Sequence, residues 1–146
     1  AHLRSKTACG IYYFLVKAIL DKEGELIERL QQGVDNAFKY YSESTKRELD
    51  NYNRIISLSK FKDISENQIR STGYVVYTLE AAIWCLVNTS SYEEVILKAV
   101  NLGDDTDTVA AITGGLAGLY YGYDNIPDKW KDKLRKRDWI DSLLNC

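Results

Sequence analysis

The stretch that decides the fold is Asn101–Tyr121, NLGDDTDTVAAITGGLAGLYY, an acidic turn that leads into a helix of small and apolar residues. Along this helix Gly114, Gly118 and Gly122 recur every four residues. Glycine costs a helix about 1 kcal/mol relative to alanine, so the stripe implies that another backbone or a ligand approaches closely. We predict tight packing against a neighbouring helix, which would hold the acidic turn rigidly.

The acidic turn concentrates hard oxygen donors. Asp104, Asp105 and Asp107 alternate with Thr106 and Thr108 over five consecutive residues. Such a set suits Mg²⁺, Mn²⁺ or Ca²⁺ and not zinc, which favours nitrogen and sulfur. Aspartate and threonine are also common helix caps, so the residues alone leave capping and metal binding both open. Capping uses only one or two of these groups, and the crowding of three carboxylates slightly favours a cation.

The rest of the chain predicts an all-α fold, because proline occurs once and β-alternation is scarce. Apolar spacing predicts further helices over Lys6–Leu20, Glu25–Ser42 and Val75–Val87. Capping residues predict that other helices start near Thr45, Ser91, Pro127 and Asp138. The polar segment Ser57–Thr72 is predicted to be a connecting loop with a short turn. Cys85 lies on the apolar helix and is predicted to be a core residue.

Composition limits the function classes. The chain has 146 residues, with 19 Lys and Arg against 21 Asp and Glu, so we expect one globular domain without nucleic-acid or membrane partners. The basic run Lys129–Arg137 is diluted by aspartates and is interpreted as a solvated helix face. Three widely spaced cysteines predict no disulfide framework and a cytoplasmic location. We expect no signal peptide, and the single histidine excludes multi-histidine zinc sites.

Three segments together carry a family resemblance. They are Ser71–Val76 with Thr78–Cys85, the turn Asn101–Thr108 with its Asp-x-Asp-Thr signature, and the glycine stripe through Gly122. In order and spacing they resemble the C-terminal half of the ADP-ribosylglycohydrolase family. The resemblance implies an orthogonal multi-helix fold in which residues 1–146 are the C-terminal part of one domain. It also implies two Mg²⁺ ions, with Mn²⁺ as an alternative, and hydrolysis of the glycosidic bond between ADP-ribose and an acceptor.

Residue by residue, the resemblance implies that Asp105, Asp107 and Thr108 are metal ligands and that Gly73 and Tyr74 line the ADP-ribose pocket. His2 corresponds either to the family's ribose-side histidine or to a second histidine just beyond it. Tyr77 stands where many members have aspartate, which implies an altered polar contact near the pocket. Tyr74 precedes an apolar helix, so a packing role against that helix is the alternative for this residue.

The family's Thr-Asp-Asp metal motif and glycine-rich loop have no counterpart in this sequence, and neither does the acidic residue credited with acid/base work in some members. The catalytic residues therefore stay unknown. We expect an ADP-ribosylated substrate, and a complementary N-terminal fragment or self-association to cover the open side of the domain. The alternatives are a non-catalytic ADP-ribose or metal-binding protein and a helical interaction module.

Overall fold

The computed structural model describes residues 2–21, 24–41 and 45–144. Across these ranges the chain forms α-helices and short 3₁₀ segments without a β-strand, which confirms the all-α prediction. The helices are α1 (Leu3–Leu20), α2 (Leu26–Tyr40), α3 (Lys46–Leu49), α4 (Leu58–Lys62), α5 (Val75–Val87), α6 (Tyr92–Asn101), α7 (Thr106–Tyr121), α8 (Asp128–Lys131) and α9 (Arg137–Leu144).

The core forms around α5, which is buried on nearly every side. It contacts α1, α6 and α7, while α2 packs along α1 on the far side. From Thr78 to Val87 every residue of α5 is buried, as its almost continuous apolar sequence predicts. Cys85 is fully buried, which confirms its core assignment, and burial raises the pKa of its thiol to about 12.

The glycine stripe packs α7 closely against α6. A methyl group added at Gly114 would lie 3.2 Å from Ile96 Cδ1, and one at Gly118 would lie 3.9 Å from the Tyr92 ring. The predicted packing role is confirmed for these two glycines. Gly122 differs, because it has a φ of +85° and ends α7 with no atom near its missing side chain. Gly122 therefore serves to end α7, and it does not pack against another helix.

Several predicted boundaries in the first half of the chain were wrong. The first helix begins at Leu3 instead of Lys6, because His2 caps it. The helix predicted from Thr45 is only the short α3, which continues as a 3₁₀ segment, Asp50–Ile55. The predicted loop Ser57–Thr72 contains the helix α4, which was not predicted, whereas the 3₁₀ segment Glu66–Gln68 confirms the short turn predicted there. Two apolar residues three positions apart, Leu58 and Phe61, are buried and hold α4 on the core.

Two predicted caps near the C-terminal end were also misplaced. Pro127 is the N-cap of α8 and not its first helical residue. Asp138 lies inside α9, which begins at Arg137. Trp139 and Leu143 of this helix are 61% and 56% exposed, so these two apolar side chains lie outside the core. Within the described ranges, no helix is long and apolar enough to cross a membrane.

Candidate functional site

The acidic turn before α7 is a tight reversal of the backbone. Gly103 has a φ of +88° and Asp104 a φ of +54°, both in the left-handed region, which aspartate tolerates better than most residues. This reversal brings Asp105 to the N-cap position of α7. It leaves Asp107 and Thr108 exposed on the first helical turn, so the oxygen-rich side chains gather at the helix start.

Ser71 fastens this turn to the loop that precedes α5. Its side chain is buried, and its hydroxyl donates a hydrogen bond to the Gly103 carbonyl at 2.9 Å. Its own carbonyl accepts a hydrogen bond from the backbone N–H of Asp105 at 3.0 Å. Ser71 thus both donates a hydrogen bond to the acidic turn and accepts one from it. The loop before α5 therefore sets the position of the turn.

The three predicted metal ligands lie side by side. The Thr108 hydroxyl donates to Asp105 Oδ1 at 2.8 Å, and the Thr108 backbone N–H donates to Asp107 Oδ1 at 2.9 Å. The Asp105 carboxyl group, and then the N–H of Thr108, lower the pKa of Asp107. Both carboxyl groups thus interact with each other and with one threonine, as the two-residue spacing predicts.

The ligand atoms in this turn are of the type that a hard divalent cation prefers, but there are too few of them for a complete site. Two carboxylates and one hydroxyl are the oxygen ligands that Mg²⁺ or Mn²⁺ prefers. A magnesium ion takes about six oxygens, so these three supply only part of its coordination shell. In the part of the chain that the structure describes, no group of three His, Cys, Asp or Glu residues could hold a metal. Of the hydrogen bonds of Thr108, only the one from its backbone N–H to Asp107 is compatible with helix capping, because the side chain of the N-cap residue Asp105 makes no capping hydrogen bond.

A cavity of about 370 Å³ opens beside the turn. It brings together His2, Gly73 and Tyr74, the three residues predicted to contact substrate, and its other lining residues are Arg4, Ser5 and Val75. A methyl group added at Gly73 would lie 2.8 Å from Asp105 Oδ2. A side chain at this position would have to displace the Asp105 carboxylate, so Gly73 lies next to both the cavity and the acidic turn.

Tyr74 stands at the edge of this cavity and is not a core residue. It is 37% exposed, and its hydroxyl accepts a hydrogen bond from Arg4 Nη1 at 2.8 Å. Its ring meets the Tyr77 ring edge to face, with centroids 4.9 Å apart. The Tyr77 hydroxyl accepts a hydrogen bond from Arg70 Nη1 at 3.0 Å, so the ring that supports Tyr74 is itself held by a neighbouring side chain.

His2 is exposed, and its Nδ1 accepts a hydrogen bond from the backbone N–H of Arg4 at 3.1 Å. This bond caps α1 and fixes the imidazole at the rim of the cavity. The structure therefore gives His2 a capping role beside its predicted ligand role. Its Nε2 atom is the ring atom that this cap does not use.

Sequence reasoning missed the supporting residues of the site. Ser71 lay within the quoted family segment, and its place two residues before Gly73 was the only signal of its role. Glu48 lies in the helix predicted from Thr45, and its carboxylate accepts a hydrogen bond from Arg4 Nε at 2.9 Å. Arg4 and Glu48 are 44 residues apart, and no local pattern links them.

Together, the helical fold and the site define a class: an all-α protein with an oxygen-donor turn beside an open cavity. Comparison with known families specifies it further. The family model described as ADP-ribosylglycohydrolase matches residues 1–145, and the chain belongs to this family.

Named relatives show the same similarity over shorter stretches. The chain is 49% identical over 89 residues to the ADP-ribosylarginine hydrolase Tri1 of Serratia proteamaculans (strain 568), and 46% identical over 89 residues to that of Pseudomonas putida (strain GB-1). Each match covers 61% of this chain and 24% of the relative. A match to human ADP-ribosylhydrolase ARH3 is 35% identical over 54 residues, or 37% of this chain and 15% of the relative. The chain thus matches about a quarter or less of these relatives' length.

Proposed function

We propose that this chain forms part of a cytoplasmic, Mg²⁺-dependent hydrolase that cleaves the glycosidic bond between ADP-ribose and an acceptor. Asp105, Asp107 and Thr108 supply the second half of its metal site. The observation that carries the proposal is the position of Gly73, which lines the cavity and whose added methyl group would lie 2.8 Å from the Asp105 carboxylate of the acidic turn. Membership in the ADP-ribosylglycohydrolase family supports the ligand class.

In this proposal each residue has a simple task. The Asp105 and Asp107 carboxylates hold the cation, and Thr108 adds a hydroxyl oxygen. A bound cation supplies Lewis-acid stabilisation of charge and orients hydroxyl groups of the ribose. Gly73 lets the ligand approach the backbone, Tyr74 packs on a flat or ring-shaped part of it, and His2 offers Nε2 to a sugar hydroxyl. Because these groups are already in place around the ligand, they can stabilise developing charge without first having to rearrange.

We propose an arginine acceptor. The support is the printed activity of the two bacterial relatives above, both named ADP-ribosylarginine hydrolases. A direct comparison tests the choice: the complete enzyme should release ADP-ribose from an ADP-ribosylated arginine peptide faster than from an ADP-ribosylated serine peptide. The reverse order would contradict the arginine assignment and leave the family reaction intact.

We further propose that the isolated 146-residue chain is inactive and associates with a complementary N-terminal fragment or with itself. Three protein oxygens are too few to complete a magnesium site. An apolar cavity of about 250 Å³ also opens between α1, α5 and α7, lined by Tyr12, Leu79 and Ile112 together with the exposed Cys9. Size-exclusion chromatography with light scattering should show association, and a stable monomer that does not bind the N-terminal fragment would contradict it.

Activity is tested by adding Mg²⁺ to the chain alone and to the chain mixed with the N-terminal part of a relative. We expect release of ADP-ribose from a modified arginine peptide only in the mixture with Mg²⁺. Robust turnover by the chain alone would refute the half-site proposal. A mixture that assembles but releases ADP-ribose equally well in EDTA would refute metal dependence.

Metal binding is separated from capping by titrating Mn²⁺ against the wild type, Asp107→Ala and the control Asp124→Ala. Asp124 is another exposed aspartate, placed in the 3₁₀ turn beyond α7. We expect Asp107→Ala to weaken Mn²⁺ binding at least about tenfold, as loss of a charged ligand does, and Asp124→Ala to leave it unchanged. Equally weak binding by all three proteins would favour the alternative, a non-catalytic helical module in which Asp105, Asp107 and Thr108 only cap α7.

A further inference from the structure

We propose that Glu48 and Arg4 are positioning residues that hold Tyr74 against the ligand cavity and thereby set the affinity for the ADP-ribosyl group. This inference rests on the proposed function and adds to it two residues outside the metal signature and the glycine-containing loop. Arg4 reaches Tyr74 directly, and Glu48 acts through Arg4.

The three side chains form one connected chain of hydrogen bonds. Arg4 Nε donates to Glu48 Oε2 at 2.9 Å, and Arg4 Nη1 donates to the Tyr74 hydroxyl at 2.8 Å. The guanidinium is planar and presents its donors in a rigid fork, so fixing one edge on Glu48 fixes the direction of the other. Glu48 therefore determines where the Tyr74 hydroxyl is held.

The network is also anchored at its base. The backbone carbonyl of Arg4 accepts a hydrogen bond at 2.9 Å from the hydroxyl of Tyr52, which is fully buried. Arg4 lies in the first turn of α1, Glu48 on α3 and Tyr74 at the N-cap of α5. The hydrogen bonds therefore link side chains from three separate helices, and the last of these side chains is Tyr74 at the edge of the cavity.

The stability of the fold does not account for this arrangement. The side chains of Arg4 and Glu48 are 29% and 18% exposed, and an ion pair with access to water contributes little to the stability of a fold. An exposed tyrosine ring rotates freely unless it is held. Here Arg4 holds the hydroxyl and Tyr77 meets the ring, so Tyr74 is ordered before a ligand arrives. Ordering a contact residue in advance lowers the entropic cost of binding.

A double-mutant cycle on the full chain, together with its complementary fragment where the chain alone is too weak, tests the inference. ADP-ribose affinity is measured by calorimetry for the wild type, Glu48→Ala, Tyr74→Phe and the double variant. We expect each single variant to bind about tenfold more weakly, the loss typical of one charge-assisted hydrogen bond. The double variant should bind no more weakly than either single variant, because both changes cut the same network.

The controls separate positioning from folding. Glu93→Ala removes a different exposed ion pair, that with Lys129 on α8, and should leave affinity unchanged. Glu48→Gln retains an acceptor for Arg4 Nε and should recover part of the affinity that Glu48→Ala loses. Unchanged affinity in Glu48→Ala, or losses that multiply in the double variant, would overturn the inference.

A ligand-free measurement keeps the inference distinct from the proposed function. In protein carrying ¹³C-labelled tyrosine rings, Glu48→Ala should shift and narrow the Tyr74 ring resonance, which Tyr74→Phe assigns. The exposed Tyr123 ring, which lies in the 3₁₀ segment after α7 and contacts Lys131, should not respond. If wild-type protein with its fragment does not bind ADP-ribose, the proposed function fails. If the Tyr74 ring resonance is the same in Glu48→Ala as in the wild type, the positioning role is refuted, whether or not ADP-ribose binds.

Discussion

Acidic side chains occupy two opposite settings in this molecule. Glu80 lies in the core on α5, 2% exposed, with its carboxylate 2.7 Å from Arg54 Nη1. Asp107 lies on the exposed first turn of α7 and is held by its neighbours in the turn. The buried carboxylate is committed to one partner, while the exposed one keeps a face toward water. A carboxylate that stabilises the fold and one that can take a ligand therefore differ in setting and not in chemistry.

The two settings also shift the pKa in opposite directions. Loss of water contact raises the pKa of Glu80, and the nearby Arg54 only partly opposes this effect. The Asp105 carboxyl group and the N–H of Thr108 lower the pKa of Asp107. Four predictions use this contrast, and they are ordered by the expected effect on the free energy of unfolding.

The largest effect is expected for Arg54→Ala. The substitution leaves Glu80 buried without its countercharge, and removing one partner of such a pair typically costs about 3 kcal/mol. Urea unfolding at pH 7 measures the loss. Arg47→Ala is the matched control, because Arg47 is exposed on α3, and it should leave the midpoint nearly unchanged. Equal stability of the two variants would show that Arg54 does not compensate the Glu80 charge.

Ser71→Ala should have the next largest effect, a loss of about 1–2 kcal/mol, because the Gly103 carbonyl loses the buried hydroxyl that donates a hydrogen bond to it. Unlike Arg54→Ala, it should also weaken Mn²⁺ binding, since Ser71 fastens the acidic turn. Paired urea unfolding and Mn²⁺ titration distinguish the two variants. A stability loss without any change in Mn²⁺ affinity would mean that the turn holds its shape without Ser71.

A smaller, pH-dependent effect is expected from Glu80 itself. Its folded-state pKa lies above the ordinary value of 4.5, so its protonated form favours folding. Relative to Glu80→Gln, the wild type should have its stability advantage below pH 4.5 and lose it as pH rises through the raised pKa. Urea unfolding of both proteins from pH 4 to pH 8 measures the difference. A difference that grows with rising pH would have the wrong sign.

Asp107→Asn should change stability least. Asp107 is fully exposed, so its removal leaves no buried charge and the melting temperature at pH 7 should stay within experimental error. The lowered pKa means that its small stabilising contribution is present above an ordinary aspartate pKa and disappears as pH falls. Calorimetric melting at pH 7 and pH 3 checks both points. A marked loss at pH 7 would indicate that this carboxylate mainly caps α7.

Much of the fold follows from local patterns. The apolar run of α5, the glycine contacts of α7 and the serine cap of α6 can each be predicted from residues within a few positions of one another. Such patterns fail where helices are short. Leu58 and Phe61 form a single buried turn, too short to show a periodicity, and α9 has the apolar spacing of a core helix while Trp139 stays exposed.

For the site, the sequence by itself determined which chemical groups are present. It identifies the oxygen donors Asp105, Asp107 and Thr108 and the glycine at position 73, Gly73. The tertiary structure decided which groups meet. Gly73 reaches Asp105 across 32 positions, and Arg4 reaches Tyr74 across 70. The physical reason is range, because side-chain periodicity reports neighbours along one helix, whereas contacts between helices depend on how the whole core packs.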